Sequence, residues 1–161
     1  MTTKKKNLSF FEGKTIDDAK GKRFGIVVAD WNKEVTDSLL AGALNRFKEH
    51  HVDEDDIIIY RVPGSFELPQ GAGILLEQEE VEGVICLGCI IQGETRHFEF
   101  IAQAVANGCM KLGMESGIPV IFGVLTTDNY DQALQRAGGL HGNKGEEAAI
   151  TAIQMAALRS V

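Results

Sequence analysis

Residues 88–100 of the chain read GCIIQGETRHFEF, and this stretch holds the ingredients of a proton-transfer site. An apolar run ends at Ile91, and Gly93 then frees the backbone for a sharp turn. Thr95 is a good N-cap for the helix that must follow, and a helix start leaves unpaired N–H groups that form a ready anion site. His97 then falls in the first helical turn, beside the place where an anion would lie. A neutral imidazole there, favoured by the positive end of the helix dipole, is a competent general base near neutral pH. The stretch therefore predicts the mouth of an enzyme active site, with His97 as its proton carrier and a preference for a phosphate-bearing ligand.

Three other clusters carry unusual residues: Asp30-Trp31-Asn32, Pro63-Gly64-Ser65-Phe66-Glu67 and Thr126-Thr127-Asp128. Each has a plainer reading. Trp31 can be a lid on the core, and Ser65 or Glu67 can simply favour a helix start. The remaining histidines have weaker claims: His50 and His51 close a helix and face solvent, and His141 belongs to a glycine-rich turn. Cys86 and Cys89 have C-x-x-C spacing, but they lie in one apolar strand, where residues three apart point to opposite faces. They read as buried small hydrophobes, as does Cys109 on the apolar face of a helix. The residues after the first strand, Val28 to Lys33, contain no G-x-G-x-x-G. Neither a Walker motif nor a metal-spaced cluster occurs, so the site is expected to need no cofactor and no metal.

The elements that must position these clusters are legible as apolar runs at residues 23–29, 57–62, 84–91 and 120–125. They are near-continuous rather than alternating, the pattern of strands covered on both faces. Helical spacing separates them, most clearly at Val35, Leu39, Leu40, Ala43, Leu44 and Phe47, and at Phe98, Ile101, Ala102, Val105, Ala106, Cys109 and Leu112. Alternating strand and helix imply right-handed crossovers and a three-layer α/β/α domain on four parallel strands. In such a sheet ligands bind beyond the carboxyl ends of the strands. All four clusters fall there. A last helix, from about residue 143 to 158, carries an alanine seam at Ala148, Ala149, Ala152, Ala156 and Ala157, suited to close packing on the sheet or on another subunit. Residues 8–11 (LSFF) form a candidate short strand that would need a partner.

The totals are those of one soluble domain over residues 1–161, with residues 1–11 as an N-terminal arm. Hydrophobic residues make up 44% and charged residues 24%. A net charge of -7 argues against nucleic acid as a partner, because a polyanion needs a basic surface. The chain has no apolar run of the roughly 20 residues that a membrane helix needs, and no signal-peptide core, which predicts a cytoplasmic protein with no membrane partner.

Four motifs, RVPGSFELP (residues 61–69), GCIIQGETRHFEF (88–100), FGVLTTD (122–128) and RAGGLHGNKGEEAA (136–149), resemble those of the 6,7-dimethyl-8-ribityllumazine synthase family. The resemblance runs from about residue 12 to 160. It implies a flavodoxin-like sheet and the penultimate step of riboflavin biosynthesis. In that step 5-amino-6-(D-ribitylamino)uracil condenses with 3,4-dihydroxy-2-butanone 4-phosphate, releasing phosphate and water. It also implies roles: Trp31 would stack on the pyrimidine, Ser65, Phe66 and Glu67 would line the pocket, and Cys89, Ile90 and Ile91 would hold the uracil edge. Gly93, Glu94 and Thr95 would cradle the phosphate, and His97 would shuttle protons. Phe122 and Arg136 match positions that the family contributes from a neighbouring subunit, with Lys144 of the GNKG motif as a further phosphate ligand.

The family assembles as pentamers, in some members as sixty-subunit shells, for which riboflavin synthase is a candidate partner. The short turn at residues 138–142 leans toward the shell, and the LSFF strand would complete a neighbour's sheet edge. Chain order gives a separate reason for a shared site, since Arg136 follows the fourth strand by about a helix length and should lie away from His97. Three departures from the family pattern stand out: Gln92 where Arg or Lys is common, Glu94 beside the phosphate site, and Leu140 for a frequent lysine. Two other readings are an archaeal-type riboflavin synthase and an inactive shell or flavin-storing paralogue. The motifs disfavour the first, and the intact His97, Glu67 and Arg136 disfavour the second.

Overall fold

The computed structural model describes Asn7, Ser9 and residues 18–161. The four apolar runs form the strands β1 (Phe24–Ala29), β2 (Ile57–Val62), β3 (Gly83–Ile91) and β4 (Val120–Thr127), all parallel and ordered β2-β1-β3-β4. Between and after them come α1 (Lys33–Glu49), α2 (Leu68–Gln78), α3 (His97–Ser116), the short α4 (Tyr130–Gln135), a hairpin of β5 (Ala137–Gly139) and β6 (Gly142–Asn143), and α5 (Lys144–Arg159). The expected three-layer domain is what forms.

Strand alternation divides the core in two. Ile26, Val28, Ile85 and Leu87 pack with Leu39 and Phe47 of α1 and with Ile153 of α5 on one face. Val27, Val84 and Cys86 pack with Leu68 and Leu75 of α2 and Val105 of α3 on the other. Cys86 and Cys89 therefore diverge, as their spacing requires, and all three cysteines are buried free thiols. The alanine seam settles on the sheet: Ala148, Ala149, Ala152 and Ala156 are buried in the first cluster, with Ala157 half-buried at its margin. Close approach is also built into the start of α5, where an added Cβ at Gly145 would lie 1.8 Å from the Leu39 carbonyl oxygen.

Several expectations need correction. β1 and most of β3 are covered on both faces, but β2 leaves Ile59 exposed and, among the described residues, has no strand flanking its outer side. β4 runs on to Thr127, its polar end held by the ladder to Ile91. The glycine-rich turn is a hairpin, with Gly138 and Gly142 at φ 105 and 85, values open to glycine. His50 is half-buried at the end of α1, whereas His51 is exposed. The expected strand at residues 8–11 lies outside the described residues apart from Ser9, whose hydroxyl accepts from the Asn143 N–H at 2.7 Å. Among the described residues no helix is long and apolar enough to cross a membrane.

Candidate active site

The carboxyl ends of β1, β2 and β3 and the start of α3 enclose a hollow of about 390 Å3. The loop after β1 supplies Trp31. Its backbone is laced to the end of β2, since the N–H groups of Asp30 and Trp31 donate to the carbonyls of Val62 and Pro63 at 2.8 and 3.0 Å. Arg61 of β2 braces the same loop, reaching Asp30 at 3.0 Å and Asp37 of α1 at 2.7 Å. The Arg61 hydrogen bond, aided by Lys33, holds the Asp37 carboxyl below the usual carboxylate range. On the other side, the Asn32 side chain donates to the Cys89 carbonyl at 2.9 Å. Trp31 itself is 73% exposed at the hollow. An indole this exposed is no lid on the core, and its flat apolar face is open to the hollow.

Ser65, Phe66 and Glu67 form a single 3-10 turn between β2 and α2, and no side chain caps either helical segment. Ser65 therefore caps neither segment, whereas Glu67 does stand at the head of α2, where an acid is favoured, and all three residues line the hollow. The turn rests directly on β3 because Gly88 has no side chain: an added Cβ would lie 2.6 Å from Ser65 Oγ and 2.8 Å from Leu68 Cδ1. Cys89, Ile90 and Ile91 complete the floor. Burial pushes the Cys89 thiol up to about 11, so near neutrality it is an uncharged apolar wall.

Gln92 closes the next turn, its amide donating to the carbonyls of Gly93 at 2.7 Å and Thr95 at 3.3 Å. The helix begins one residue later than Thr95 capping requires. Arg96 is the N-cap, and the Thr95 hydroxyl accepts only a long 3.4 Å bond from the His97 N–H. Gly93, Glu94, Thr95 and His97 are all exposed, and Gly93, Thr95 and His97 face the hollow while Glu94 does not line it.

The remaining candidates lie elsewhere. Phe122, Arg136 and Lys144 line a second hollow of about 800 Å3 on the β4 side, which shares no lining residue with the first. Arg136 donates to the His141 carbonyl at 2.6 Å and to Glu147 at 2.8 Å, and Lys144 reaches the other Glu147 oxygen at 3.3 Å. Leu140 sits exposed at the hairpin tip. One chain thus brings together two groups of site residues, with His97 in one and Arg136 in the other. Glu147, and the hydrogen bonds made by Gln92 and Asn32, escaped the sequence reading. Only Glu147 left a signal, an acid three residues after a lysine on a helix. Among the described residues no group of three His, Cys, Asp or Glu side chains could hold a metal ion.

A family model described as 6,7-dimethyl-8-ribityllumazine synthase matches residues 21–160. A protein of that name from Cytophaga hutchinsonii is 52% identical over 157 residues, covering 98% of both chains. Another from Porphyromonas gingivalis is 47% identical over 161 residues, all of both chains. A third, from Flavobacterium johnsoniae, is 49% identical over 159 residues, covering 99% of this chain and 84% of its own.

Proposed function

The chain belongs to the 6,7-dimethyl-8-ribityllumazine synthase family, and from that membership we propose how its two half-sites make a lumazine. The enzyme condenses 5-amino-6-(D-ribitylamino)uracil with 3,4-dihydroxy-2-butanone 4-phosphate, releasing phosphate and water. In our reading the pyrimidine stacks on Trp31, with its edge along the backbone of Cys89, Ile90 and Ile91. Glu67 accepts hydroxyl hydrogen bonds from the ribityl chain, beside Ser65 and Phe66. The phosphate lies at the uncapped start of α3, against Gly93 and Thr95, with the Glu94 side chain turned out to solvent.

His97 carries the protons. It assists imine formation between the 5-amino group and the ketone, loss of phosphate, and attack of the ribitylamino nitrogen that closes the second ring. Each step moves a proton over a short distance, and the imidazole can give back what it takes.

One observation carries the composite character of the site. No lysine or arginine lines the hollow that holds His97, among the described residues, and Glu67 adds a carboxyl group there. A phosphate dianion entering it would meet a helix start but no cation. Arg136 and Lys144, gathered with Phe122 in the second hollow, are the missing half. A neighbouring copy that seats its second hollow against the first hollow of the next would supply them. Such a head-to-tail contact is heterologous and closes into a ring when the rotation allows. We take the ring to be a pentamer, with the short hairpin at residues 138–142 and the edge of β2, unpaired among the described residues, favouring assembly of pentamers into a shell that can enclose riboflavin synthase. Three buried free thiols suit a reducing cytoplasm.

Incubating the purified protein with both substrates tests the activity. Fluorescent lumazine should accumulate in proportion to enzyme. No product, or riboflavin formed from lumazine alone, would overturn the assignment.

A further inference from the structure

We infer that Asn32 is a positioning residue that sets the height of the pyrimidine slot between Trp31 and the end of β3, an inference that rests on the proposed seat of the uracil. Asparagine at a helix N-cap ordinarily spends its side chain on the first free amides of that helix. Two others in this chain do so: Asn129 accepts from the Gln132 N–H at 2.9 Å, and Asn143 from the Gly145 N–H at 2.8 Å. Asn32 heads the longer helix α1 and makes no such bond. It adopts a left-handed backbone, φ 59 and ψ 46, and turns its amide away from the helix to the Cys89 carbonyl, 2.9 Å distant. A side chain that forgoes its local partners and holds an unfavourable backbone is serving something else.

What it serves is visible in the sheet register. The pairing of β1 with β3 stops at Val28 opposite Leu87, so the Cys89 carbonyl lies two residues beyond the last rung. The Asn32 amide supplies the donor that β1 no longer provides. The same bond fixes the residue next to Trp31, whose other side is already laced to β2. One side chain thus ties the stacking platform to the strand end that faces the uracil edge. Its side-chain hydrogen bond goes to the Cys89 carbonyl and to neither Arg136, Lys144 nor the start of α3, so the phosphate substrate should not feel its loss.

Two substitutions separate donation from shape. Asn32→Gly keeps the left-handed backbone, which glycine adopts freely, and removes the amide. Asn32→Asp keeps the size and tolerates the same backbone, but an ionised carboxylate has no N–H to give. Both variants should raise the Michaelis constant for the uracil substrate about fivefold, the worth of one net hydrogen bond, and leave that for the butanone phosphate unchanged. Fluorescence anisotropy of Trp31, the single tryptophan, should fall in both without substrate present. Wild-type behaviour of Asn32→Asp beside a defective Asn32→Gly would overturn donation, and equal rises in both Michaelis constants would mark general loosening and overturn the inference. Unchanged anisotropy in both variants would do the same. If the unsubstituted protein made no lumazine, the functional reading would fail, and the anisotropy would still decide whether Asn32 holds the Trp31 platform.

Discussion

His97 stands exposed in the first turn of α3, a helix whose start no side chain caps, and its imidazole borders the hollow that Trp31 and Glu67 also line. A proton carrier in such a position contributes a factor of about 10² to 10⁴. The amine and ketone that condense here are intrinsically reactive, which places His97 at the low end. His97→Ala should therefore slow turnover about 10²-fold at saturating concentrations of both substrates. An unchanged initial rate would remove it from the chemistry. Residue type and spacing made His97, Trp31 and Glu67 legible, since a base near a helix start and an indole at a strand end stand out in any sequence. The bonding roles of Asn32, Gln92 and Glu147 were not legible. Their work is done by hydrogen bonds whose partners appear only after folding, as between Asn32 and Cys89, 57 positions apart.

At the level of elements, the apolar runs announced the sheet because a parallel strand is buried on both faces. The same signal could not separate β2, which is an edge, from β1 and β3, which are not, because the composition of Ile57–Val62 is that of a buried strand. α4 and the β5–β6 hairpin were missed as well: α4 has six residues and buries only Ala133, too little for a period to register. Packing of elements also shapes the site. The turn carrying Ser65 and Glu67 sits where it does because Gly88 leaves β3 bare beneath it. Gly88→Ala should cost about 1–3 kcal/mol through overpacking and lift that turn into the hollow. A lower melting temperature with a raised Michaelis constant for the uracil substrate is the expected pair of results. Gly73→Ala on α2 is the control, since its added methyl would meet only Leu112 at 3.9 Å and should be neutral or stabilising. Equal melting of both variants would contradict this account of the turn.

For the whole molecule, the distribution of charge matters more than its total of -7. The hollow with the base has no cation among its lining residues, and the hollow with the cations has Arg136 and Lys144 already paired to Glu147. Glu147 holds the two cationic side chains together, and on our proposal a phosphate would compete with it for them. On our proposal neither half is an enzyme alone, and the ring is what makes one. Subunits carrying His97→Ala and subunits carrying Arg136→Ala, each defective alone, test that claim most directly when co-assembled in equal amounts. Random mixing in a ring leaves about a quarter of the interfaces with an intact His97 facing an intact Arg136. Lumazine formation at low phosphate-substrate concentration should rise to about that fraction of the wild-type rate. A mixture no more active than the mean of its two components would contradict a site shared between subunits.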